Sequence, residues 1–79
     1  MPDRLWRVFS ELAAWYPKIE LRGIGANCSI YLENKGRVIE VSDMKGGWWL
    51  EARQGPNKIR ECWVATREEV LRIVRDWLK

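Results

Sequence analysis

The sequence predicts a two-layer α+β domain in the order α-β-β-β-β-α, with an antiparallel four-stranded meander and both helices on one face. Three observations lead there. Each end of the chain carries apolar residues at helical spacing. The middle alternates apolar and polar residues with period two. Short glycine-bearing turn signals separate the alternating runs, which suits hairpins and leaves no room for crossovers.

The first helix starts after Pro2, with Asp3 as its expected N-cap. Leu5, Val8, Phe9, Leu12 and Trp15 share one face, and Arg4, Arg7 and Glu11 lie on another. Pro17 disfavours the α conformation at Tyr16, so the helix is expected to stop there. The following "KIELRGIGAN" fits a short fifth edge strand at Ile19 to Leu21 and a loop equally well.

In "CSIYLE", Cys28, Ile30 and Leu32 take one face and Ser29, Tyr31 and Glu33 the other. "NKG" is a tight turn. "RVIEVSD" then offers Ile39 and Val41 to the core. After "MKGG" comes "WWLEAR", where adjacent tryptophans must point to opposite faces. Trp48 goes with Leu50 and Ala52, and Trp49 with Glu51 and Arg53. Trp48 is therefore the core residue. "QGPNK" turns the chain into "IRECWVA", whose facing is ambiguous. If Cys62 and Val64 face the helices, then Ile59, Glu61 and Trp63 face outward; the opposite register buries Trp63. The closing helix starts at a capping box, Thr66 with Glu69, and carries Val70, Leu71, Val74, Trp77 and Leu78 as its apolar stripe.

With 79 residues the chain makes one domain, 1–79, with a single core. No apolar run approaches the roughly 20 residues a membrane span needs. The N-terminal stretch carries Asp3 and Glu11 and lacks a signal-peptide pattern, which predicts a cytoplasmic protein without membrane partners. The net charge of +3 is spread evenly. Residues 1–18 hold three basic and two acidic side chains, 19–65 seven and six, and 66–79 four and three. No basic block invites a phosphate backbone.

Catalytic chemistry finds little support. Histidine is absent, which removes the commonest general base and metal ligand. Ser10, Ser29 and Ser42 have no recognisable activating base. "GIGAN" at 23–27 lacks the third glycine of a nucleotide loop and is followed by a strand, so it reads as a loop or bulge. Cys28 and Cys62 stand alone without metal-site spacing and read as small apolar strand residues, reduced and unpaired. The expectation is a non-enzymatic protein with no catalytic residue, no metal and no cofactor.

What remains is the outward sheet face. Tyr31, Trp49 and, in one register, Trp63 lie there with Glu51 and Arg53, while both helices are committed to the other side. An apolar patch rimmed by charge marks an interface, unless the stems of Arg37 and Arg53 simply cover the rings. The expected partner is a second copy of the chain or another protein. The alternative is single-stranded nucleic acid stacked on Tyr31 and Trp49, with Arg37, Arg53 and Lys58 nearby. Glu33, Glu40 and Glu51 on the same face, joined by Glu61 in the register that turns Trp63 outward, count against it.

Overall fold

The computed structural model describes residues 3–23 and 28–78. Helix α1 (Asp3–Ala13) leads into five strands: β1 (Ile19–Arg22), β2 (Ser29–Asn34), β3 (Arg37–Met44), β4 (Gly47–Gln54) and β5 (Asn57–Val64). Helix α2 (Arg67–Trp77) closes the chain. The strands form one antiparallel sheet in sequence order, β1-β2-β3-β4-β5. The edge strand at 19–21 is thus present and makes the meander five-stranded. Ile19 and Leu21 align with Leu32 and Ile30 on the helix side, so burying those two side chains is what recruits the segment. The capping role of the Asp3 side chain and the loop over 24–27 lie outside the described residues.

Three two-residue turns set the registers. Lys35 and Gly36 both have positive φ, 54° and 81°, the pattern of a type I′ hairpin turn. This hand of turn matches strand twist, so Asn34 opposes Arg37 without slippage. The turn also holds the end of α2. Asn34 donates to the Leu78 carbonyl at 2.8 Å, and Arg37 donates to that of Trp77 at 3.1 Å. Both carbonyls belong to the last helical turn, which has no partner within the helix.

One core lies between helices and sheet. Leu5, Val8 and Leu12 of α1 and Val70, Val74 and Leu78 at α2 meet Ile30, Leu32, Ile39, Val41, Trp48, Leu50, Ala52 and Val64. Both helices therefore cover the same face, and Arg67 ties them together through Glu11 at 3.2 Å. Phe9 and Trp77, expected fully inside, pack against the core but stay half-buried. Trp15 departs further from expectation and is 64% exposed. Helix α1 ends at Ala13, and the N–H groups of Trp15 and Tyr16 both donate to the Leu12 carbonyl. The helical face is lost there before Trp15 can use it, and the Arg75 guanidinium covers its ring at 4.6 Å.

The capping box at α2 forms with a variation. Thr66 Oγ1 accepts the Glu69 N–H at 3.2 Å as expected. The Glu69 carboxylate, however, takes the Thr66 hydroxyl at 3.0 Å. Cys28 and Cys62 are both free thiols, and burial raises the pKa of Cys62.

Candidate interaction surface

The outer sheet face follows from the strand registers. One cross-strand row runs Glu20, Tyr31, Glu40, Glu51, Glu61. On one side of it lie Arg22, Ser29, Ser42, Trp49 and Trp63. On the other lie Glu33, Val38, Arg53 and Lys58. Four glutamates in a single row would repel one another unless each carboxylate were compensated. Each one is. Arg22 bonds Glu20; the Tyr31 hydroxyl donates to Glu40 at 2.7 Å. The Trp49 indole N–H and Arg53 donate to the two oxygens of Glu51, each at 3.0 Å, and Lys58 reaches Glu61 at 2.7 Å.

These contacts shape the protonation behaviour of the face. Accepting from Trp49 and Arg53 holds the Glu51 carboxyl below the ordinary glutamate range. The bond to Glu40, with burial and the same carboxylate's charge, pushes the Tyr31 phenol up. A carboxyl with a depressed folded-state pKa contributes stability above its unfolded value, and that contribution is lost as pH falls through the folded value. Glu51→Gln is therefore expected to flatten the decline of stability below the ordinary glutamate range. Urea midpoints for wild type and variant, at neutral pH and through the acid range, check this. Identical acid dependence would mean that Glu51 does not hold its two donors in solution.

All five residues expected at the interface, Tyr31, Trp49, Glu51, Arg53 and Trp63, stand on this face. Trp49 and Trp63 are directly opposite each other on β4 and β5. Trp63 is 51% exposed and Trp49 half-buried, while Val64 on the reverse side is buried against the core. The ambiguity of the last strand thus resolves with Trp63 outward. Tyr31 stands two strands from Trp49 and does not join the pair.

Gly47 explains the setting of Trp63. A Cβ at Gly47 would fall 2.4 Å from the Trp63 ring and equally close to the Val64 carbonyl. The indole lies in the space that only glycine leaves, which seats it against the sheet. Two expectations need correction. Arg37 does not belong to this face, since it stands two residues from the core residue Ile39, shares its side of the strand and reaches Trp77 there. Ile59 falls in an irregularity where Ala52 pairs Arg60 and Arg53 pairs Lys58. The extra residue breaks alternation, and Ile59 lines a small cavity with Arg60, Trp77 and Leu78 on the helix side.

Arg22 was not among the residues expected to matter, yet its guanidinium lies over the Tyr31 ring at 4.2 Å. Its signal was available only once 19–22 is taken as a strand, because pairing with Ser29 carries Arg22 to the outer face. A shallow groove of about 490 Å³ opens beside this stack, lined by Lys18, Arg22, Tyr31, Glu33, Val38 and Arg53 among others. Among the described residues no group of three His, Cys, Asp or Glu side chains is placed to hold a metal ion. No helix among them is long and apolar enough to cross a membrane. No known protein family, curated protein or solved structure matches this chain. Any reading of function rests on the geometry of its surfaces.

Proposed function

We propose that this protein is a non-enzymatic association module that pairs with a second copy of itself through the outer face of its sheet. The observation that carries the reading is Trp63, half exposed and seated on Gly47 beside the half-buried Trp49, on a face that neither helix covers. A large indole held in one orientation loses little freedom when it is covered, which favours association. The charge pattern supports self-pairing. Arg53 and Lys58 lie in the row next to Glu51 and Glu61, so a two-fold axis along the boundary would lay Glu51 and Glu61 of each copy over Arg53 and Lys58 of the other.

Single-stranded nucleic acid fits this face less well. Glu20, Glu40, Glu51 and Glu61 share one cross-strand row with Tyr31, so carboxylates flank Tyr31 on both sides and border Trp49, which disfavours phosphates beside either ring. Sedimentation equilibrium of wild type and Trp63→Glu tests the self-association. A concentration-dependent dimer in wild type and a folded monomer in the variant are the expected results. A wild type that stays monomeric at high concentration removes the homodimer. A dimer indifferent to the substitution would move the interface away from this face.

A further inference from the structure

We infer that the protein carries a second binding site, for a small phosphate monoester, at the end of the sheet where α1, the β3–β4 turn and the start of α2 meet. A cavity of about 450 Å³ opens there, lined by Arg4, Arg7, Gly46, Trp48, Ala65 and Arg67. Its size falls within the roughly 300–1,000 Å³ of small-ligand sites. Three arginines are among its lining residues and no acidic residue is.

Two of the three arginines are held in place, each by acidic residues outside the cavity lining. Arg4 lies over the Trp48 ring at 4.7 Å, with Asp43 at 3.5 Å and the Gly47 carbonyl at 3.4 Å. Arg67 is tethered by Glu11 at 3.2 Å and Glu68 at 3.6 Å. Each guanidinium has five N–H donors, so these tethers orient the groups without using all their donors. Arg7 differs. Among the described residues it makes no ion pair, and it is one of the cavity's lining residues. Arginine donors that are not used up by their tethers match a phosphate, whose oxygens accept on every side and whose charge answers Arg7, the one lining arginine without an ion pair among the described residues.

A side chain at Gly46, one of the lining residues, would meet nothing within 4 Å, so no neighbouring group crowds the turn at that point. A small ligand suits the site better than a nucleic-acid strand. The strand would need a basic track leading away, and the chain's basic residues are dispersed, with residues 1–18, 19–65 and 66–79 each netting +1. The site lies apart from the outer face, and none of its lining residues belongs to the rows described there.

Amide chemical shifts in a ¹⁵N-labelled sample, titrated with inorganic phosphate and with AMP against sodium chloride of matched ionic strength, test the assignment. Saturable shifts are expected at Gly46, Ala65 and Arg67. Arg7→Gln, which breaks no ion pair among the described residues, is expected to weaken binding about tenfold while leaving the rest of the spectrum unchanged. Shifts that fail to saturate, or an affinity indifferent to Arg7→Gln, would overturn the site. Saturable binding of a thymidine oligonucleotide without terminal phosphate, in the absence of AMP binding, would also overturn it and assign the patch to a strand.

Discussion

Replacing Trp48 with alanine is expected to cost about 3–5 kcal/mol, the usual range for deleting a large ring from a core. Its neighbour is expected to cost far less. Trp48 is 2% exposed, lies among Leu50, Val41 and Val64, and supports the Arg4 guanidinium from below. Removing the ring opens a cavity and releases Arg4 from one of its three partners. A chain of this length rests on roughly 4–12 kcal/mol in total, so the loss takes a large share of it. Trp49 sits on the other face, half in solvent, and its alanine variant forfeits mainly the hydrogen bond to Glu51. Urea denaturation of the two variants, compared at equal slope, measures the difference. Equal losses would contradict the opposed facing of the two rings.

Gly47→Ala is expected to cost about 3 kcal/mol, the upper part of the range for overpacking a close contact. The added methyl would lie 2.4 Å from both the Trp63 ring and the Val64 carbonyl. The ring can swing away, but the carbonyl belongs to the β5 backbone and can retreat only by parting the strands. Gly46→Ala is the natural control. Its added methyl meets open space, and the cost there comes from holding φ at +83°. Combining Gly47→Ala with Trp63→Ala in a double-mutant cycle separates the two clashes. Recovery of part of the loss is expected, since the ring clash disappears and the carbonyl clash stays. Full recovery would mean that the backbone approach is looser than described. Displacing the indole should also weaken self-association in the same variant, joining the stability of the seat to the proposed function.

The residues that made this fold legible in the sequence are those whose structure is local. Alternation in "CSIYLE" and "WWLEAR", the turns at "NKG" and "QGPNK", and Thr66 with Glu69 each act over a few residues. Each appears in the structure where expected. What stayed hidden depends on partners distant in the chain. The strand at Ile19 is too short to announce itself and exists because Leu32 and Ile30 offer it a register. "IRECWVA" allowed two facings, and the pairing of Val64 with Trp48 selects one. The second glycine of "KGG" looked like part of a turn. It is needed for a ring that arrives from β5, which no pattern within β4 could show.

The outward facing of Tyr31, Trp49, Glu51 and Arg53 was legible for the same reason, since facing follows from period two once the strands are placed, whereas that of Trp63 waited on the pairing of β5. Their interactions were not. Arg22 rather than Arg37 or Arg53 covers Tyr31, because Arg37 is drawn to the end of α2 and Arg53 to Glu51. Competition among several cations for a few carboxylates and rings is decided by three-dimensional reach, which one-dimensional spacing does not contain.

The irregularity at Ile59 has a bearing on how such chains stack. An open five-stranded sheet ends in two rows of unpaired N–H and C=O groups, and a straight one would invite the next molecule to add strand upon strand. Here β1 is only four residues long. At the other border β5 begins after Gly55–Pro56, is interrupted at Ile59, and carries Lys58, Arg60 and Glu61 along its exposed length. A bulge twists a border out of line, and its charges resist a like neighbour. Sideways growth into a fibril is thereby blunted at both ends. The pairing proposed above runs face to face instead, an arrangement that would close on itself after two.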